Sequence, residues 1–561
     1  ASILSIAQLR EPRFPESRYT GNSEVLMARR RQSLIFVPLL ITVFAILGGI
    51  FGPGTPGVSA ATTGAGDDVD ASIKSFTKVF AVVENNFADK VTADKALYKG
   101  AIPGMLRTLD PHSNFFDPKD FEALRDDQRG SYSGVGMQVG PRNGKTIVIA
   151  PFEGSPAYKA GLRPGDVILE VNDKKTEGMT TSEIAEMLKG PKGTHVQVVV
   201  ARDGVDKPIS FDITRGEIPR FSVQNAFWYK PGIAYVDISQ FNENTSKELE
   251  DSLKQLGEAD IKLLIVDLRD NPGGLLNEGV AVAGHWLRKG ELVVSHRGRN
   301  SAEKPYYAKG SALGGNYPMV VLVNRYSASA AEIVAGAIQD HDRGWILGEN
   351  TFGKGLVQTV YPLADNTGLA LTTAHYYTPS GRLIQRDYSN ISFLDYYYGK
   401  RTDLKNPTDV KSTDSGRTVY GGGGITPDEK YVPAKYNAFQ TDLLRKFEFF
   451  SFTAQYFGGK DIKLPKGWAP DDTVLNQFHE YLLKQNVPFT EADWAENHSW
   501  IADQLKREMY ATGFSFEESQ KVAIEVDPMV AKGAGAITEA KDLLDKSKKL
   551  VVQRIARPDL R

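Results

Sequence analysis

Apolar and polar positions alternate with three different textures along this chain, and each predicts a different kind of element. Between residues 70 and 127 the spacing is helical: Ile73, Phe76, Val79, Phe80 and Val83 recur every three or four positions and form one apolar face. Such a stripe belongs to a core or to a dimer surface, not to a cofactor site. From Gly130 the pattern shortens to β-like runs, VGMQV, KTIVIA, DVILEVN, HVQVVVAR and ISFDITR, with one helical stretch, TTSEIAEMLKG, between the third and fourth. From Gly232 strands and helices alternate: GIAYVDI, a polar helix from Glu243 to Leu256, KLLIVDL, a helix near Asn277 to Trp286, then the run Met319 to Val323 followed by a Ser-Ala-Ser turn and an apolar helix. That alternation predicts an α/β layer. After about Val432 the texture is helical again.

The predicted architecture is a multi-domain α/β protein. Residues 1–32 are a polar tail, 33–51 an apolar span, 52–69 a Gly/Thr/Ala-rich tether, 70–129 an N-terminal helical region, 130–215 a β-rich module, 216–432 an α/β core and 433–561 a helical C-terminal extension. The span Ser33 to Phe51 carries no charge and comes directly after Arg29-Arg30-Arg31 and Gln32. It is long enough to cross a hydrocarbon core of roughly 30 Å, with the basic flank kept in the cytoplasm. The competing expectation is a signal peptide cut near Val58-Ser59-Ala60. Either one exports the remainder of the chain.

Composition narrows the chemistry. Lys and Arg total 67 against 69 Asp and Glu, a net charge of -2, so no global field recruits nucleic acid and none is expected as a partner. The absence of cysteine removes disulfides, thiolate metal sites and a cysteine nucleophile together. No metal or organic cofactor is expected.

A serine hydroxyl needs a base to take its proton. His341 lies at the far end of the apolar helix after the Ser turn, roughly 18 Å from its start, and is assigned a capping or solvated role. Lys354 is the better candidate, because burial among apolar neighbours penalises the ammonium and frees a neutral amine. Phe352, Leu356 and Val357 flank it, and Gly353 and Gly355 allow close backbone approach. If 354–360 is a strand, Lys354, Leu356 and Gln358 share a face, so the Gln358 amide could orient the amine. Ser327 and Ser329 compete as nucleophile; proximity to the helix start favours Ser329, with the N–H of Ala330 as an oxyanion donor. Helix capping by these serines, with Glu332 completing a capping box, is the competing local explanation. Gly273 and Gly274, in the turn after a buried strand, offer further donors. Glu349, Asp267 and Asp270 are read as solvated turn charges.

Three motifs in this order, DLRDNPGG, SASAAEI and GENTFGKGLVQ, resemble those of the carboxyl-terminal processing peptidases, PDZ-containing serine peptidases with a Ser-Lys pair. The resemblance spans roughly 70–430. It implies Ser329 as nucleophile, Lys354 as general base, Gln358 as supporting amide, and oxyanion donors at Ala330 and at Gly273 or Gly274. It further implies that 130–215 is a PDZ domain. There Gly134, Val135, Gly136 and Met137 would hold a peptide carboxylate, beside a helix over 181–189. The implied activity is endopeptidase cleavage of substrate proteins captured by their C-terminal tails. Separately, the apolar stripe from Ile73 to Val83, as a dimer surface, would make the protein a homo-oligomer. The alternative is a non-catalytic, membrane-anchored PDZ adaptor.

Overall fold

The computed structural model describes residues 66–92, 94–142, 144–310, 315–389, 391–399, 408–458 and 463–556. The span 33–51 lies outside them, and among the described residues no helix is long and apolar enough to cross a membrane.

The N-terminal region is less uniformly helical than its periodicity predicts. Helix α1 (Gly66–Asn86) carries the apolar stripe, but Ile73, Phe76, Val79 and Val83 are exposed, so the stripe is not core. After it, the chain turns at Asp110-Pro111, where proline disfavours helix for the residue before it, and forms strand β1 (Asn114–Phe116) before helix α2 (Pro118–Arg129). Strand β1 pairs antiparallel with the strand 368–377, Asn114 opposite Ala370. Phe116, Phe121 and Leu124 pack with Ala370 beneath it.

The β-rich unit comprises β2 (Met137–Arg142), β3 (Lys145–Pro151), β4 (Val167–Val171), helix α3 (Thr181–Leu188), β5 (His195–Ala201) and β6 (Ile209–Thr214). The strands run in the order β2-β3-β4-β5-β6, so β2 is an edge. The Thr180 hydroxyl accepts the N–H of Glu183 and the Glu183 carboxylate accepts that of Thr180, a capping box that starts α3 where the sequence places it. Alternate residues of β5, Val196, Val198 and Val200, face a core shared with Ile184 and Leu188 of α3. Short strands Ser131–Gly134 and Gly216–Pro219 pair with each other where the chain enters and leaves this unit.

The α/β core runs β7 (Val223–Lys230), β8 (Ile233–Ile238), α4 (Thr245–Leu256), β9 (Leu263–Asp267), α5 (Leu276–Gly284), β10 (Leu292–Gly298), β11 (Met319–Val323), α6 (Ala330–Asp340), β12 (Trp345–Gly348), β13 (Leu356–Pro362), β14 (Gly368–Tyr377), α7 (Phe393–Tyr398) and β15 (Glu429–Lys430). Its main sheet has the order β7-β8-β9-β11-β12-β15, parallel except at β7-β8. Every residue of β9 and β11 is buried, as expected for parallel strands covered on both faces. One face packs on α4, α5 and α6. A second sheet joins β1, β14, β10 and the strand Ser301–Tyr307, with β13 on β14.

The C-terminal residues are helical, yet they are not a simple appendage. Helices α8 (Ala438–Arg445), α9 (Glu448–Phe457), α10 (Asp472–Lys484) and α11 (Glu491–Gly513) share an aromatic-rich core of their own. Helix α9 touches the β-rich unit: the Arg142 guanidinium lies 4.9 Å over the Phe450 ring. Helices α12 (Phe516–Glu525), α13 (Pro528–Gly535) and α14 (Ile537–Ala556) return to the core. Their residues Ile524, Met529, Val530, Ala536 and Ala540 pack on Leu263, Ile265, Val320, Leu322 and Leu347 and cover the sheet's second face. The sequence pattern hides this because a helix's apolar stripe does not say which surface it meets.

Candidate active site

Strand β11 ends at Val323, and a short turn later the chain enters α6 through Ser329, whose φ of 54° and ψ of -115° are rare for a side chain larger than glycine. Surrounding bonds hold that conformation. Ser327 donates its hydroxyl to Leu268 O at 2.7 Å and accepts the Asn324 N–H at 3.0 Å, so it is fully buried and shapes the turn. Ala328 N–H donates to Asn271 O at 2.9 Å. Gly273 lies against the same turn: a methyl group built on it would meet Ser329 Cβ at 2.6 Å and Ala328 O at 2.7 Å.

Lys354 is fully buried at the entrance to β13. The strand begins at Leu356 rather than 354, and a register shift falls between Val357 and Gln358. The facing of Lys354 and Gln358 is therefore a product of the turn and the irregularity, not of unbroken strand alternation. Lys354 Nζ donates to Gln358 Oε1 at 3.4 Å, and Gln358 is itself fully buried with its Nε2 unpartnered. The close approach expected of the glycines is present: a Cβ on Gly355 would meet Gln385 N at 2.9 Å, and one on Gly353 would meet Arg386 Cβ at 3.0 Å. Burial pulls the amine's pKa from 10.5 down to about 7, while the carboxylates of Asp110 and Glu332 act in the opposite direction.

The two segments are tied together by residues whose roles the sequence pattern does not reveal. Glu332, which by spacing is only a cap, accepts the N–H of Ser329 at 2.9 Å, of Gly353 at 2.7 Å and of Lys354 at 2.8 Å. The Tyr376 hydroxyl, from β14, lies between the carbonyls of Ser329 and Lys354, within hydrogen-bond reach of both. Asp110 and His112 arrive from the N-terminal region. The Asp110 carboxylate accepts the N–H groups of His112 and Ser113, each at 2.7 Å, and the Ser113 hydroxyl. His112 is fully buried, its Nε2 2.9 Å from the Tyr396 hydroxyl and its Nδ1 3.3 Å from that of Tyr397. Burial, then the charges of Lys354 and Arg386, hold its pKa well below 6.5, so it is a neutral ring bound to two tyrosines. The available signal was Asp-Pro-His-Ser, a polar break with proline inside an otherwise helical stretch.

The remaining residues singled out in the sequence meet different fates. Ala330 opens α6, so its N–H is among those a helix start leaves without an intrahelical acceptor. The Gly273 N–H donates to Asn271 Oδ1 at 2.8 Å, so Gly273 brings its Cα rather than an unoccupied amide to Ser329. Gly274 is pressed on Phe241, whose carbonyl oxygen leaves no room for a side chain there. His341 caps the end of α6, bonded to Asp414 and to Leu292 O, and is largely buried rather than solvated. Asp267 is likewise not solvated: it is buried between Arg269 and the Tyr235 hydroxyl, and with burial it drives the pKa of neighbouring Asp237 up to about 7.

In the β-rich unit, Gly134 ends the short strand Ser131–Gly134, Val135 and Gly136 connect it onward, and Met137 opens edge strand β2. Val135 and Met137 point into the hydrophobic core of the unit. The carbonyls of Val135 and Gly136 are taken by Ala157 N–H and by Phe152 N–H with the Ser155 hydroxyl. Gly136 has φ of 76°, and a Cβ there would meet Ser155 Cβ at 2.5 Å.

A strained serine at a strand-to-helix turn, tied to a buried lysine, in a chain that also carries a β-rich unit ending in an edge strand, is the organisation of a serine peptidase carrying a PDZ domain. Residues 232–391 match peptidase family S41, and 147–202 match the PDZ domain. The chain is 40% identical to the carboxy-terminal-processing protease of Bartonella bacilliformis over 315 residues, 55% of this chain and 72% of that relative. It is 35% identical to the carboxyl-terminal-processing protease of a Synechocystis species over 353 residues, 60% of this chain and 80% of that one. The solved photosystem II D1 C-terminal processing protease aligns at 30% identity over 66% of this chain and 90% of its own, with a TM-score of 0.34. This chain belongs to the carboxyl-terminal processing peptidases and is a serine peptidase.

Proposed function

We propose that the chain is an endopeptidase that captures the C-terminal tail of a substrate protein on its PDZ domain and cleaves it with Ser329 and Lys354. In this reading Ser329 Oγ attacks the scissile carbonyl while neutral Lys354 takes the hydroxyl proton and later passes it to the leaving amine. The acyl-enzyme is then released by water. Gln358 orients the amine through its Oε1. The oxyanion falls to the N–H of Ala330 at the positive end of α6, with Gly274 as a second donor; Gly273 is a weaker candidate because its amide is engaged by Asn271. The observation that carries the reading is a lysine with no solvent access, held by burial near pKa 7, beside a strained serine at a helix start.

Tail capture is assigned to the loop Gly134 to Met137 and to the edge of β2 facing α3, where an extended peptide adds as a strand and its carboxylate meets main-chain N–H groups. Relatives named as carboxy-terminal processing proteases support that substrate class. We extend the proposal to an enzyme anchored by residues 33–51 with its catalytic part in the bacterial periplasm, on the strength of the basic flank and charge-free span. The exposed stripe of α1 supports pairing between copies rather than a core role.

The test is Ser329→Ala, assayed for cleavage of a fluorogenic peptide with an apolar C-terminal tail and for binding of the same tail by anisotropy. Lost cleavage with retained binding is expected. Retained cleavage would remove the catalytic assignment, and no binding by either protein would remove tail capture.

A further inference from the structure

Glu332 sits in the first turn of α6 and has no solvent access. Burial pushes its pKa above the ordinary carboxylate value, and the hydrogen bonds it accepts oppose that rise. Oε2 accepts the N–H of Ser329 and of Lys354; Oε1 accepts the N–H of Gly353 and the hydroxyl of Thr351. Four donors converge on two oxygens, and three of them are main-chain N–H groups that can only donate, which favours the ionised form against the rise that burial causes; the fourth, the Thr351 hydroxyl, can donate or accept. The α6 dipole adds to this. The cage is also closed from outside: the Thr351 hydroxyl accepts the Ile425 N–H at 2.7 Å, and a Cβ on Gly424 would meet Glu332 Oε1 at 3.0 Å. A helix cap needs only the bond to Ser329. The bonds to Gly353 and Lys354 reach a different strand entrance, 21 and 22 residues along the chain.

We propose that Glu332 is the positioning residue of the catalytic pair: its buried carboxylate binds the backbone of the nucleophile and of the base on one oxygen and so sets their separation. This rests on the Ser329 and Lys354 assignment above. The carboxylate also sets the electrostatics of the base. The charged and titratable groups packed about Lys354 include Glu332 on α6, Asp110 and His112 from the N-terminal region, Tyr376 on β14 and Arg386 after it. Two of these, Glu332 and Asp110, favour the ammonium. Removing the Glu332 charge therefore moves deprotonation of Lys354 to lower pH.

The experiment uses the full chain and the fluorogenic tail peptide between pH 5.5 and 9.5, with active sites counted by a serine-reactive fluorophosphonate. Glu332→Gln keeps the shape but loses the charge and turns an amide N–H₂ toward N–H donors. Its kcat per titrated site is expected to fall about 100-fold, the order of loss when reacting groups are misplaced by about 1 Å, with KM nearly unchanged. The midpoint of the rise in kcat/KM moves to lower pH. Glu332→Asp keeps the charge but not the reach, so kcat falls while the midpoint stays. Thr351→Val, which removes one donor, covers the case in which the first variants fail to fold; about a fivefold loss of kcat is expected. A purely structural role predicts fewer titratable sites, each with normal kcat and an unmoved midpoint, and that result, or normal kcat in Thr351→Val, overturns the inference. If Ser329→Ala still cleaves, the catalytic reading fails first; if it does not and Glu332→Gln is normal, only this inference fails.

Discussion

Replacing Lys354 by methionine should abolish cleavage and at the same time stabilise the protein. The side chain has no solvent access, and its pKa falls from 10.5 to about 7 because burial penalises the ammonium. At about 1.4 kcal/mol per tenfold, that fall corresponds to about 5 kcal/mol lost to folding at pH 7 and below. Between pH 7 and 10.5 the unfolded chain holds a proton that the folded chain has released, so this contribution to stability rises with pH and the penalty fades. Methionine is of similar length and carries no charge to desolvate. It forfeits the bond from Nζ to Gln358 Oε1, leaving that amide wholly unpaired at a cost of about 1–2 kcal/mol. The net gain is therefore about 3 kcal/mol near pH 6, shrinking to about zero near pH 9.5. Urea unfolding of the wild type and of Lys354→Met at half-unit pH steps measures the difference: groups remote from Lys354 cancel, while His112, whose pKa the Lys354 charge lowers, adds its own smaller change at low pH. A difference that does not shrink as pH rises, or a variant less stable than wild type at pH 6, would refute the reasoning.

The same geometry sets further outcomes. For wild type, kcat/KM on the tail peptide should rise with pH through a midpoint near 7 as Lys354 loses its proton, and then level off; a profile falling over that range would count against a neutral amine as the base. Gly273→Ala places a methyl 2.6 Å from Ser329 Cβ at a φ of 97°, so kcat should drop by about 100-fold while PDZ binding of the tail, measured by anisotropy, is unchanged. Val530→Asp puts a charge into the fully buried interface between α13 and the main sheet, and should cost more than about 4 kcal/mol, read as loss of the cooperative melt of the core. Gly136→Val strains a positive φ against Ser155 and should weaken tail binding at least about tenfold in anisotropy while hydrolysis of a short untailed peptide persists.

Much of this fold is written in local pattern. The runs LLIVD and MVVLV are continuous apolar segments because parallel strands bury both faces, and they became β9 and β11 where expected. The helix over 181–188 carries its own start signal in Thr180 and Glu183. The same locality explains the errors. Asp110 and His112 stand far from Lys354 along the chain, and nothing in their neighbourhood announces that β1 will pair with β14 and carry them to the site. Glu332 matches a capping box by spacing, and that match hides the two bonds it makes to a later strand entrance. Asp267 looks like a turn charge until Tyr235 and Arg269 close over it.

The sequence by itself marked most strands and helices of the β-rich unit and the core, a pair of serines and a lysine at special turns, and where glycine is needed for close approach, because propensity, periodicity and backbone sterics act over a few residues. Only the tertiary structure decided that the last helices cover the second face of the core sheet, that a lone carboxylate joins the serine and lysine segments, and that the lysine amine is dry enough to be neutral near pH 7. Burial and electrostatic environment are sums over atoms brought together from distant parts of the chain, so no local pattern contains them.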